Sequence, residues 1–178
     1  MPQNDLEKQL AKSRFERAIE IVEGLIEKGA FLNCSELARL NQILTGKKNV
    51  EPWRDEPTEC VLPSGVKLRF HVLADPIKHT KQILNQAKEK AASAENLDEV
   101  VDAAAELYAQ IVLTHPFKDA NRRIAVVAAD YLLKLYNITI SAVGLHELGL
   151  GDLREEGQIE LLKNTMKKAV KLGVKPIK

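Results

Sequence analysis

A single helical period runs through this chain from residue 6 to residue 172, and it is broken in one place. Leu10, Phe15, Ala18, Ile19, Val22, Leu25 and Ile26 recur at the spacing that puts apolar side chains on one face of a helix. That pattern predicts a first helix over residues 6–28, ended by Gly29. Asn33-Cys34-Ser35-Glu36 has the capping-box order and predicts a second helix to about Leu44, stopped by Gly46. Further helices are expected over residues 76–92, 97–114, 122–136 and 153–172, with Asn96 and Asp152 opening the second and fourth of these. The break falls between Cys60 and Val72. There Val66, Leu68, Phe70 and Val72 alternate with Lys67, Arg69 and His71 after the turn Pro63-Ser64-Gly65. One hairpin has no core of its own, so it must lie over the helices or project from them. A hairpin that covers the core and one whose edge accepts an extended peptide both satisfy this pattern. The expected fold is mainly α, a helical bundle with a small β-hairpin.

Composition narrows what such a bundle can bind. The 178 residues suit one domain with a short extension. Aromatic residues make up 4% of the chain, too few for the stacking platforms that hold single-stranded nucleic acid. Twenty-six basic against twenty-five acidic residues leave a net charge of +1, so no global field recruits DNA or an anionic membrane. The lysines from Lys163 to Lys178 read as a solvated face near a helix C-terminus. Cys34 and Cys60 are too few for a disulfide framework or a zinc site and are expected as free thiols. The first residues lack a signal-peptide pattern, and no apolar run reaches membrane length, so a cytoplasmic location is expected.

Packing does not readily account for His115-Pro116-Phe117-Lys118-Asp119-Ala120-Asn121-Arg122-Arg123. Helix 97–114 stops here, because Pro116 cannot continue it. The next helix starts near Asn121, and its unpaired N–H groups and positive dipole end form an anion site. His115 can take a proton near neutral pH. Asp119 offers an oxygen to Mg²⁺. Taken singly, each residue has a plainer role: His115 as a helix cap, Asp119-Ala120-Asn121 as a helix start, the arginines as surface charge. Yet cations are disfavoured at the positive end of a helix, so Arg122 and Arg123 point to a visiting anion.

This segment resembles the signature of the Fic/Doc family, His-Pro-Phe-x-Asp/Glu-Gly-Asn-Gly-Arg, or His-x-Phe-x-Asp-Ala-Asn-Lys-Arg in the Doc branch. His115, Phe117, Asp119, Ala120, Asn121 and Arg123 match. The helix Glu36–Leu44 and the hairpin at 60–72 look like the family's early helix and flap, so the resemblance covers about residues 33–137. It implies a Fic-type bundle over 33–178 after an N-terminal helical extension over 1–32. It further implies that His115 deprotonates a hydroxyl on a target protein and that Phe117 anchors the loop. Asp119 would hold Mg²⁺, and Lys118, Ala120, Asn121, Arg122 and Arg123 would bind the phosphates of ATP or another nucleoside triphosphate. Lys67, Leu68, Arg69, Phe70 and His71 of the flap would clamp the target protein.

The departures from the signature bear on which group is transferred. Arg122 stands where nucleotidylating members have Gly, and Val126 replaces their further Arg, whereas Pro116 follows the Fic form. Arg122 leans toward Doc-like phosphoryl transfer, the activity of a toxin. Nucleotidyl transfer (AMPylation) and a degenerate, non-catalytic interaction module are the competing readings. Some members restrain themselves through a helix ending in Glu-Gly, which Glu23-Gly24 resembles. Glu23 is accordingly a candidate inhibitory residue; without it, a separate antitoxin would restrain the protein. A homodimer is a further expectation.

Overall fold

The computed structural model describes residues 2–62, 65–141, 145 and 151–173. Among these, six helices and one hairpin follow in the order α1 (Pro2–Glu27), α2 (Cys34–Thr45), β1 (Thr58–Val61), β2 (Lys67–Phe70), α3 (Pro76–Ala92), α4 (Leu97–Thr114), α5 (Asn121–Leu135) and α6 (Gln158–Gly173). The mainly α architecture with a small hairpin is the one the sequence pattern predicts.

The helix ends are set by local chemistry. Gly29 at φ +63° ends the turn after α1, with Ala30 N–H donating to Leu25 O and Gly29 N–H to Ile26 O. The side chains of Asn33, Asp75 and Asn96 each accept from the N–H three residues on, which caps α2, α3 and α4. The last helix is a correction. It begins at Gln158 and not at 153, because Asp152 does not cap it: its carboxylate is taken by the Arg154 guanidinium at 2.9–3.1 Å. Gly157, at φ +81°, then redirects the chain into α6.

Helix α5 forms the axis. Ile124 to Leu133 are buried without interruption, as in a helix wrapped on all sides. Helix α4 packs along it, with α3 and α6 on the outer side of α4, and α1 and α2 against other faces of α5. Alanines 103, 104, 105, 109, 125, 128 and 129 are all buried, and their small side chains let the central pair approach closely. Phe15, Ala18 and Val22 join the same core, so α1 contributes to the packed body while most of its first half is exposed. The hairpin is antiparallel, Thr58 opposite Phe70 and Val61 opposite Lys67, so its first strand starts two residues before Cys60. Leu68 and Phe70 are buried while Lys67 and Arg69 face outward, as the alternation requires. Pro63 and Ser64 of the predicted turn lie outside the described residues. No described helix is long and apolar enough to cross a membrane.

Candidate active site

The loop between α4 and α5 is fixed at both ends by left-handed residues. His115 (φ 49°, ψ 56°) closes α4, its N–H donating to Ile111 O at 3.0 Å. Ala120 (φ 60°, ψ 19°) precedes α5. Such a conformation costs a non-glycine residue roughly 1–2 kcal/mol, so the surroundings must hold it in place. Several of the contacts that do so connect side chains to backbone. Asn121 Oδ1 accepts from Phe117 N–H and its Nδ2 donates to Phe117 O, both at 2.8 Å. Asn41 Nδ2 donates to Asp119 O at 2.8 Å. The segment Pro52-Trp53-Arg54 runs antiparallel to the loop, with Arg54 N–H on Pro116 O and Lys118 N–H on Pro52 O, both at 2.9 Å. Trp53 stacks on the fully buried Phe117 with ring centroids 4.5 Å apart.

His115 is thereby held against the hairpin. Its ring stacks on Phe70, centroids 4.2 Å apart and planes 22° from parallel. Nδ1 lies 3.4 Å from Val112 O, a contact that favours the proton on Nδ1 and leaves Nε2 as the acceptor. Burial lowers the imidazole pKa below 6.5; the Val112 carbonyl opposes this, the Arg54 charge adds to it and Asp119 opposes it. A neutral, acceptor-ready ring at pH 7 is the form a general base needs. It faces a cavity of about 180 Å³ lined by Leu68, Phe70, Tyr108, His115, Arg122 and Arg154, among others. Arg122 Nε donates to Tyr108 Oη at 3.2 Å, which aims this guanidinium across α4 into the same cavity.

The other expected site residues divide. Ala120 gives α5 no side-chain cap, and the first N–H groups of a helix have no partner within the helix. Asp119 Oδ1 accepts from Ala120 N–H at 2.5 Å, with Arg123 Nη2 3.7 Å away, and the carboxylate is half exposed. Among the described residues no three His, Cys, Asp or Glu side chains cluster as a metal cage. A single half-exposed carboxylate at the start of a helix does fit Mg²⁺, which is commonly held by one or two carboxylates plus substrate phosphates. Arg123 Nη1 donates to Leu44 O at 2.9 Å, tying α5 to the end of α2. Asn121, expected at the phosphates, is buried and has the loop-closing task described above. Lys118 is also placed differently from expectation: it pairs with Asp55 at 3.1 Å and lines a separate recess with Arg54 and Thr58.

In the flap, Leu68 and Phe70 line the His115 cavity, whereas Arg69 pairs across the hairpin with Glu59 at 2.5 Å, and Lys67 and His71 are exposed. Glu23 does not meet a motif arginine. It binds Lys134 Nζ at 2.7 Å, eleven residues along α5 from Arg123, about 16 Å at the helical rise. His146 lies outside the described residues.

Sequence reasoning missed Asn41 and Arg54. Asn41 left a trace: it is a polar residue inside the buried stripe Leu37, Leu40, Leu44 of α2. Arg54 left only its place beside the single Trp of the chain.

No curated protein matches this chain. Solved structures share its fold. A Fic-domain-containing signalling protein from Bacteroides thetaiotaomicron superposes with a TM-score of 0.65 at 17% identity, over 93% of this chain and 69% of that one. The VirB-translocated effector BepC of Bartonella tribocorum, solved with AMPPNP bound, gives 0.55 at 15% identity, over 89% and 86%. A Fic family protein from Desulfovibrio desulfuricans gives 0.53 at 11% identity, over 91% of this chain and 53% of that one. The sequence model of the Fic/DOC family matches residues 31–133, which is more than half of the chain and contains both the flap and the His115–Arg123 loop. The chain belongs to the Fic/DOC family.

Proposed function

We propose that the protein is a transferase that moves a phosphate-containing group from a nucleoside triphosphate, ATP in the first instance, to a hydroxyl of a target protein. The reading rests on one juxtaposition: a neutral, stacked His115 shares a cavity with Arg122, next to a helix start that has no side-chain cap. His115 Nε2 takes the proton of the target hydroxyl as its oxygen attacks phosphorus. The phosphoanhydride bond breaks on the far side, and the leaving phosphate carries away the bonding pair. The first N–H groups of α5 and the Arg122 guanidinium offset the charge that builds on the phosphoryl oxygens. Asp119 would hold Mg²⁺, which would supply positive charge to offset that of the nucleotide phosphates. The target lies along the hairpin as an added strand, so that its hydroxyl meets the base.

Phosphoryl transfer is favoured over nucleotidyl transfer because of Arg122. A planar, bidentate cation facing the His115 cavity suits a terminal phosphate, whereas a glycine would admit the diphosphate to the backbone. Incubation with α- or γ-labelled ATP and a cell lysate separates the two. Label from the γ position alone is expected; label retained from the α position alone would replace the kinase reading with AMPylation. One observation favours the non-catalytic module: at about 180 Å³ the cavity is smaller than the roughly 300 Å³ at which ligand pockets begin. Calorimetry with Mg²⁺ and ATP, GTP, CTP or UTP decides that point, since a module with a closed site binds none of them. With Glu23 held by Lys134, restraint by a separate antitoxin fits a toxin of this kind better than restraint by α1.

A further inference from the structure

Arg54 is buried, 3% exposed, and none of its hydrogen-bond partners is a carboxylate. A guanidinium has five N–H donors, and here every one has a carbonyl. Nε donates to His115 O at 2.7 Å. Nη1 donates to Glu56 O at 2.9 Å and Phe70 O at 3.2 Å. Nη2 donates to His71 O at 2.7 Å and Thr114 O at 3.3 Å. These carbonyls come from three separate segments: the end of α4 with the start of the motif loop, the end of β2, and the approach to β1. The two from α4 lie at the negative end of its dipole, where a cation is stabilised. The backbone of Arg54 is tied to the same loop through Pro116 O.

We infer that Arg54 is a positioning residue that locks the hairpin and His115 into one unit, so that the strand holding the target and the base acting on it keep a fixed distance. One guanidinium holds the carbonyl of His115 and the carbonyl of Phe70, the two residues whose rings stack. Without it, the carbonyls of Phe70 and His71 at the end of β2 and those of Thr114 and His115 at the end of α4 would lose the one donor group that joins them. Lysine cannot replace it, since three donors on one nitrogen cannot reach five carbonyls spread over three segments. The catalytic part of the inference rests on His115 being the base; the mechanical coupling does not.

The test is Arg54→Lys, which keeps the charge. Hydrogen exchange should quicken roughly tenfold or more at hairpin residues 67–71 while α5 residues 124–133 keep their protection. The nuclear Overhauser contact between the Phe70 and His115 rings should weaken. Transfer should lose roughly tenfold or more in kcat, with calorimetric ATP affinity unchanged, because misplacing the hydroxyl affects the reacting geometry and not nucleotide binding. Equal acceleration at the hairpin and in α5 would reduce Arg54 to a general stability residue and overturn the inference; unchanged hairpin exchange would do the same. If the variant does not fold, the wild type supplies the readout. The Arg54 guanidinium protons and the β2 amides should exchange through one common opening, and independent exchange would overturn the coupling. A wild type with no transfer activity but with coupled exchange would sink the proposed function and leave the coupling standing.

Discussion

The two ends of α5 are both polar, yet they are built on opposite plans. At the N-terminal end, amides and guanidinium groups bind backbone: Asn121 on Phe117, Asn41 on Asp119, Arg54 on five carbonyls, Arg123 on Leu44. At the C-terminal end, charge meets charge: Lys134 lies between Glu23 at 2.7 Å and Asp130 at 2.9 Å. Bonds from uncharged or permanently charged groups to backbone fix a loop in one shape across the physiological pH range. Ion pairs hold helices together with less directional demand, and exposed ones are screened by salt. The end that must hold strained residues at a fixed geometry uses the first plan; the end that only joins α1 to α5 uses the second.

If the N-terminal end is the working end, the largest effect belongs to His115. His115→Ala should lower the transfer rate by roughly 10²–10⁴-fold in a labelled-ATP assay while the fold is kept. Full transfer by the variant would remove His115 from the mechanism. The pH profile sharpens the point. Burial favours the neutral ring and lowers the His115 pKa below 6.5, so the base form predominates at pH 7. The rate should be level just above pH 6.5 and fall on acidification through the lowered value. The same group makes stability fall in that direction, because below pH 6.5 the unfolded chain takes up a proton that the folded ring resists. A rate that drops already between pH 8 and 7 would contradict this assignment.

Asn121 comes next, and it tests whether the loop is held by its own backbone bonds. Asn121→Ala deletes two buried hydrogen bonds and leaves Phe117 N–H and O unpaired. Urea unfolding should show a loss of about 2–4 kcal/mol. A loss below about 1 kcal/mol would mean that the Trp53–Phe117 stack and the Pro52–Arg54 strap carry the loop by themselves.

The fold was largely legible because period and caps are local signals: Asn33 and Asn96 hold the caps within a few residues of the apolar patterns they start. Asp152 looked the same and misled, since its carboxylate takes both the guanidinium and the backbone N–H of Arg154, two residues on, in a turn that ends before Gln158. His115, Asp119 and Arg122 were legible as a set because nine consecutive residues carry them. Arg54 was not, because its partners lie up to 61 residues away and nothing local distinguishes an arginine that will be buried. For Asn121 the residue was found and its bonding was not: a short loop lets an amide reach back to its own backbone, and sequence does not show which way it turns.

Glu23 should give the smallest effect, and it decides between the two plans for the C-terminal end. Its side chain is 52% exposed, and Lys134 keeps the buried carboxylate of Asp130 when Glu23 is removed. The Glu23→Ala change therefore breaks a screened pair without stranding a charge. It should cost no more than about 1 kcal/mol in urea unfolding, less at high salt. Transfer should not change, because the pair lies about 16 Å along α5 from Arg123, and its helix reaches that arginine by no hydrogen bond or ion pair among those described. A rise of tenfold or more in the transfer rate would mean that α1 does restrain the site, through a rearrangement that carries Glu23 away from Lys134 and toward the loop.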